Sequence, residues 1–328
     1  QIARLNPSHD RRLWSVMIPS YNCSIYLRKT IASVLLEAPH EHKMQIEVID
    51  DYSSDGDVGA LVQELGRGRI AFYRQPENVG SLRNFETCIN RSKGKYVHIL
   101  HGDDLVRPGF YQEVEELFEK HPEAGAAFTG CSDIDDQEKW LWDSPTIMDQ
   151  PGLITNWLQT IAQGNLLQTP CMVVKREVYE QLGSFFKVHY GEDWEMWIRI
   201  AASYPVAYSP KKLAYYRVHD RNITGSSLRT GQNVRDISAV INTIQAYLPT
   251  ESRKDLKIRA RRNYSIYIGI LSDRIYHEQN NPRAALVQVI HAFRLYPSRR
   301  SLYRLIKILG KRMIGYKNKD AFKKLGLS

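Results

Sequence analysis

Asp103 and Asp104 follow the apolar run Tyr96–Leu100 almost directly, and adjacent carboxylates at such a position repel unless a cation or a polyol lies between them. Oxygen ligands of this kind suit Mg2+ or Mn2+ carrying a diphosphate. The same pair also fits a solvated turn or a helix N-cap before Pro108. Asp50 and Asp51 end another apolar run and lead into Tyr52-Ser53-Ser54-Asp55-Gly56. That stretch reads either as an Asx-type turn capping the next helix or as an acceptor for a base N–H or a ribose hydroxyl. Gly191-Glu192-Asp193 opens a Trp-rich segment, where the acids either complement a helix dipole or set a general base beside aromatic rings. In Tyr216-Arg217-Val218-His219, Arg217 and His219 either neutralise a leaving diphosphate or belong to an ordinary surface loop. Arg83, three residues after Gly80, has the same functional reading or lies on a solvated helix face.

The elements that must position these residues alternate in period. Strands are expected at Leu13–Ile18, Gln45–Asp50, Ile70–Arg74 and Tyr96–Leu100, while Leu27, Ile31, Val34 and Leu35, and then Leu82, Phe85 and Ile89, recur at helical steps. Such alternation predicts an α/β protein with an open, mostly parallel sheet and helices on both faces, whose ligands bind beyond the carboxyl ends of the strands. A helix is expected at Phe110–Lys120, a strand at Gly125–Cys131, and an irregular region over 132–165. Cys171–Val174 then reads as a strand, Glu177–Leu182 as a helix ended by Gly183, and Glu192 onward as a helix burying Trp194, Trp197, Ile198 and Ala201. From Asp236 the pattern is all-helical, at Ile237–Leu248, Arg253–Glu278, Arg283–Leu295 and Arg299–Ile314, so the domains are expected to be 1–235 and 236–328.

Composition narrows the class. The 328 residues are 43% hydrophobic and 25% charged, which excludes disorder and a disulfide-knotted miniprotein. The net charge of +9 is uneven: residues 1–250 hold 26 Lys and Arg against 31 Asp and Glu, and residues 251–328 hold 19 against 5. The body is acidic, and no nucleic-acid module is recognisable, so nucleic acid is not expected as a partner. Cys23, Cys88, Cys131 and Cys171 are dispersed, which points to a reducing cytoplasm and away from zinc or a disulfide framework. Without a run of about 18 apolar residues or a signal-peptide core, the expectation is a cytoplasmic protein, soluble or peripheral at the inner face of the cell membrane.

In chain order, Val16-Met17-Ile18-Pro19-Ser20-Tyr21-Asn22, Val48-Ile49-Asp50-Asp51-Tyr52-Ser53-Ser54-Asp55-Gly56, Asn78-Val79-Gly80, His101-Gly102-Asp103-Asp104 and Gly191-Glu192-Asp193-Trp194-Glu195-Met196-Trp197-Ile198-Arg199 closely resemble family 2 glycosyltransferases. These are inverting, nucleotide-sugar-dependent enzymes of the GT-A fold, and the resemblance spans about residues 13–225. It implies that Pro19 and Tyr21 flank the nucleobase, that Asn22 belongs to the same donor-binding loop, and that Asp51 accepts a hydrogen bond from the base. Asp103 and Asp104 match the D-x-D region, one for the ribose and the other, Asp104, for the metal, Mn2+ or Mg2+, that bridges the diphosphate. Asp193 matches the base that deprotonates the acceptor hydroxyl, and Arg217 and His219 fall where the family closes a loop over the diphosphate. Many relatives carry Asp where this chain has His101, which implies a thinner metal shell. The Q-x-x-R-W motif of processive synthases is missing, which implies transfer of a single sugar.

The expected reaction is therefore transfer from a UDP-sugar to a hydroxyl of a cell-surface glycan or its lipid-linked precursor. The alternatives are a non-catalytic scaffold of the same fold and a sugar nucleotidyltransferase. The last helix places Leu302, Leu305, Ile306, Leu309, Met313 and Ile314 on one face and Arg304, Lys307 and Lys311 on the other. A basic amphipathic helix is drawn to anionic lipid by about 1 kcal/mol per Lys or Arg, and it buries its apolar stripe at the interface. Otherwise it packs that stripe on protein and leaves its charges solvated. An anionic membrane surface met through residues 299–328 is the expectation, and the oligomeric state stays open.

Overall fold

The apolar run preceding Pro19 becomes β1 (Trp14–Ser20), buried along its whole length, and α1 (Ser24–Glu37) follows with Leu27, Ile31 and Val34 fully buried. The computed structural model describes residues 2–5, 12–38, 41–219 and 223–316. Then follow β2 (Met44–Asp50), α2 (Val58–Gly66), β3 (Ala71–Arg74), α3 (Ser81–Arg91), β4 (Tyr96–Ile99), β5 (Leu105–Val106) and α4 (Phe110–Lys120). The chain continues through β6 (Ala126–Ile134), β7 (Trp140–Asp143), β8 (Gly152–Leu153), α5 (Trp157–Ile161), β9 (Met172–Lys175), α6 (Arg176–Leu182), α7 (Glu192–Ala201) and β10 (Val206–Arg217).

These strands make one sheet in the order β3-β2-β1-β4-β9-β6-β10-β5, with β7 on β6 and β8 on β10. β1 to β4 run parallel; β9 enters antiparallel between β4 and β6, and β10 returns parallel to β6. The parallel register sets Ser20 beside Asp50, so the loops after β1 and β2 leave the sheet together. Gly102 donates to the carbonyl of Pro19 at 3.0 Å, which brings the loop after β4 alongside them. A Cβ on Gly102 would lie 2.8 Å from Cys23 Sγ, so this approach needs glycine.

Residues 132–165, expected to be irregular, instead extend β6 to Ile134 and supply β7, β8 and α5. Two of these strands have only two to four residues and α5 has five, too short for periodicity to reveal.

The chain divides into two compact units. The first holds the described residues of Gln1–Trp157, Leu166–Lys187 and Met196–His219. The second holds those of Leu158–Asn165, Val188–Glu195 and Asp220–Ser328. The long boundary falls at 219/220, against an expected 235, and two short segments including Asp193 group with the helices. The second unit contains α8 (Ile223–Thr230), α9 (Gln232–Thr243), α10 (Thr250–His277), α11 (Pro282–Leu295) and α12 (Arg299–Met313).

In that unit α12 corrects the expected division of its faces. Ile308 and Ser301 are buried, and Leu305 packs with Ile308 against Ile275, Tyr276, Ala285 and Val289. The cationic face lies on α10, with Lys307 2.6 Å from Asp273, Lys311 2.7 Å from His277 Nε2, and Arg304 donating to the carbonyl of Ile266. Leu302, Ile306, Leu309 and Met313, at successive helical steps, face outward and exposed. Among the described residues, no helix is long and apolar enough to cross a membrane; residues 317–328 of the expected membrane tail lie outside the described residues.

Candidate functional site

At the carboxyl end of β2 the two aspartates do different work. Asp50 is fully buried, ion-paired with Arg74 at 3.0 Å and hydrogen-bonded by the Ser53 hydroxyl. Asp51 accepts the backbone N–H of Val79 at 2.8 Å and of Gly80 at 3.0 Å, one on each oxygen. Burial pushes the Asp51 carboxyl up, and those amides offset part of the rise. Gly80, at φ +82°, caps α3 in a backbone conformation that favours glycine. Asn22 joins the neighbouring loop: its Oδ1 accepts the N–H of Ser54 at 2.8 Å, and its own N–H donates to Ser53 Oγ at 2.9 Å. Tyr21 and Tyr52 stand out from this stitched pair of loops, 53% and 50% exposed, with Arg74 over the Tyr52 ring at 4.8 Å.

After β4, ligand atoms of His101, Asp103 and Asp104 all lie within 4.8 Å of one another. Asp104 is fully buried; its Oδ1 accepts the N–H of Arg217 at 2.9 Å, while its Oδ2 has no hydrogen-bond partner. His101 Nδ1 is 3.6 Å from that Oδ2, and His101 Nε2 is likewise buried without a partner. Phe85 stacks on the imidazole at 5.2 Å and 8°, fixing its plane. Burial, then the charge of Asp103, hold the Asp104 carboxyl well above the usual range. Burial pushes Asp103 the same way, but the hydrogen bond from His219 and the charges of His101 and His219 outweigh it, and its net shift is down. A buried carboxylate oxygen without a donor beside a second carboxylate and an imidazole fits a divalent cation such as Mn2+ or Mg2+, since it lacks the partner that buried charge requires.

The end of β10 closes the cluster. His219 Nε2 lies 2.9 Å from Asp103 Oδ2, and its ring packs on Tyr26 at 4.8 Å. Arg217 is fully buried, and all three guanidinium nitrogens donate: to the carbonyls of Asp103 (2.8 Å) and Asp135 (3.2 Å) and to Glu138 (3.1 Å). Its side chain clamps the loop after β4 to the turn between β6 and β7, and of the two it is the His219 side chain that reaches a carboxylate of the acidic pair. Pro19 is a buried residue of β1 with its carbonyl bonded to Gly102, so of the two residues expected to flank a base only Tyr21 offers an exposed ring. Arg83 stands on the exposed face of α3.

Asp193 lies in the second unit, in the first turn of α7. Its Oδ2 accepts Asn165 Nδ2 at 2.9 Å and its Oδ1 accepts the Trp194 N–H at 2.7 Å. Burial raises its pKa to about 6, with those two hydrogen bonds working against the rise. Trp194 packs on Tyr264 at 4.8 Å, and the Tyr264 hydroxyl accepts the N–H of Asn165 at 3.2 Å, so a rigid aromatic bracket orients the amide that holds the carboxylate.

Sequence reasoning missed Asn165, Tyr52, Phe85 as a stacking partner and Glu138. Asn165 and Glu138 lie in the segment without a period, and their partners are distant in the chain. Tyr52, in the left-handed region at φ +63°, sits in a motif already singled out, and its aromatic ring beside Tyr21 was the available signal.

The model of the family "Glycosyl transferase family 2" matches residues 15–183. An uncharacterized glycosyltransferase of Haemophilus influenzae is 24% identical over 67% of this chain and 70% of its own. In fold, the chain is similar to S. aureus TarS 1–349 in complex with UDP-GlcNAc, with TM-score 0.63, 12% identity and 92% of each chain covered. It is also similar to the mannosyltransferase PcManGT from Pyrobaculum calidifontis in complex with GDP-Man and Mn2+, with TM-score 0.57, 16% identity, and 99% and 86% of the two chains covered. The match covers more than half the chain and includes the strand ends that carry Asp51, His101, Asp103 and Asp104, and on this ground the protein belongs to glycosyltransferase family 2.

Proposed function

We infer that this glycosyltransferase is a metal-dependent inverting enzyme that moves one sugar from a UDP-sugar to a hydroxyl of a cell-surface glycan or its lipid-linked precursor. The observation that carries the reading is the buried, unpartnered Oδ2 of Asp104 beside Asp103 and His101. Complexes of similar folds with UDP-GlcNAc and with GDP-Man and Mn2+ support a nucleotide-sugar donor and a divalent cation.

Each residue then has a task. Tyr21 and Tyr52 offer faces for the base, and Asp51 holds the Val79–Gly80 turn against the nucleotide. Asp104, with His101 and Asp103, would hold Mn2+ or Mg2+, which offsets charge growing on the departing diphosphate. His219, hydrogen-bonded to Asp103, donates toward the same charge, and Arg217 keeps both loops in place. Asp193, with a pKa near 6, is ionised at neutral pH and takes the proton from the acceptor hydroxyl. Direct displacement inverts the anomeric carbon, and no covalent enzyme intermediate is required.

The test is release of nucleoside diphosphate from a panel of UDP-, GDP- and dTDP-sugars with Mn2+ present. Release from a UDP-sugar, lost in Asp104→Ala, supports the reading. Release from none would leave a scaffold, and pyrophosphate made from a nucleoside triphosphate and a sugar phosphate would indicate a nucleotidyltransferase.

A further inference from the structure

We propose that the outward face of α12 is a docking surface for a bilayer rich in anionic phospholipid, and that this docking does not depend on the sugar-transfer reaction. Helix α12 carries two apolar stripes, separated by about a quarter of a turn. One, with Leu305 and Ile308, is consumed by packing in the helical unit. The other, Leu302, Ile306, Leu309 and Met313, is exposed, with Ile306 at 60% and Met313 at 85%, and Tyr303 and Ile314 extend it. A contiguous apolar face on a helix that has already satisfied its core marks an interaction site.

Charge identifies the occupant. Arg299–Met313 contains Arg299, Arg300, Arg304, Lys307, Lys311 and Arg312 and no acidic residue. Three of these lean on α10 as described, whereas Arg299, Arg300 and Arg312 are exposed on the same helix as the stripe. By helical position Arg299 borders the stripe while Arg300 and Arg312 lie further round, and a twofold contact between copies through this face would still crowd together two helices that carry only cationic charge, because an isologous interface meets itself. An anionic lipid surface complements both features, with apolar side chains entering the acyl boundary and arginines reaching phosphate. Tyr303 has the amphipathic ring favoured at the headgroup level. A protein partner would need an acidic rim matched to the stripe; a bilayer supplies both without any further design.

The experiment is co-sedimentation of the full chain with vesicles of equal parts phosphatidylglycerol and phosphatidylcholine, and with phosphatidylcholine alone. Binding is expected to the first, to fall roughly tenfold or more in Arg299→Glu/Arg300→Glu, and to weaken at 1 M salt, where the Debye length is about 3 Å. Ile306→Asn/Met313→Asn, both exposed and so harmless to the core, is expected to reduce it by a similar factor. Leu36→Asn, an exposed residue of α1, is the control and should bind as the parent does. Binding undiminished in Ile306→Asn/Met313→Asn would overturn the proposal, since simple polyanion attraction would then suffice. It is equally overturned by equal binding to phosphatidylcholine alone. A chain that binds no vesicles and forms a stable dimer abolished by the same two substitutions would also overturn it, and would name a second copy as the occupant.

Discussion

Asp104 accepts the backbone N–H of Arg217 at 2.9 Å, which ties the acidic loop after β4 to the end of β10 across 113 positions of the chain. The same arginine returns a bond from its Nε to the carbonyl of Asp103, so each strand end holds the other. Replacing Arg217 by Ala removes a fully buried guanidinium and takes the Nε donor from the Asp103 carbonyl, while the Asp135 carbonyl keeps the Glu138 N–H and Glu138 keeps Lys29. The expected cost is about 2–4 kcal/mol, reduced from a fully buried pair because Glu138 is partly exposed. A urea unfolding curve reads it; a midpoint equal to that of the parent would refute the clamp.

Asp193→Asn should abolish transfer while nucleotide binding persists. With Asp193 as the proposed base, the ionised carboxylate would be the active form, so log kcat should fall with unit slope as pH drops below about 6. The sign for stability is opposite. Because the folded pKa lies above the unfolded value of about 3.9, the neutral group's contribution is full below that pH and is lost as pH rises through about 6. A pH–rate profile with no acidic limb near 6, or full turnover by Asp193→Asn, would remove Asp193 from the role of base.

Asn165→Ala tests the positioning of that base. The amide bond to Asp193 Oδ2 favours the charged form, so its loss should move the acidic limb to higher pH and leave the KM for the donor unchanged. A simple loss of kcat with an unmoved limb would assign Asn165 a structural role only.

Asp104→Asn should weaken Mn2+ binding, measured calorimetrically on the full chain in the absence of nucleotide, and weaken Mn2+-dependent nucleotide binding in parallel. Metal removal by EDTA should lower nucleotide affinity in the parent and have little further effect in the variant. Parent-like Mn2+ binding in Asp104→Asn would exclude it as a ligand.

Gly102→Ala should destabilise the protein by about 1–3 kcal/mol, since the new Cβ would lie 2.8 Å from Cys23 Sγ and press the loop from the Pro19 carbonyl. Thermal unfolding measures this, and nucleotide affinity should fall with it because the acidic loop is displaced. An unchanged melting temperature would show that the loop has room to yield.

Much of this protein is legible in its chain. Strand and helix periods are local, and they locate β1, β2, β4, α4 and α10–α12 to within a few residues; the order of strand-end motifs identifies the family on the same local grounds. What local pattern cannot state is which of two adjacent aspartates is paired. Asp50 meets Arg74 and Asp51 meets the amides of Val79 and Gly80, and these partners lie 20 to 30 positions away. The segregation of α12 into an apolar and a basic face is also written in its sequence, but which face is buried is not. Side chains on α10 and α11 decide that, because Asp273 and His277 receive the lysines while Ile275, Ala285 and Val289 receive Ile308. Tertiary packing satisfies whichever donors and apolar surfaces it brings together, and it is this matching across distance that leaves Asp104 Oδ2 without a partner and the second stripe of α12 facing out.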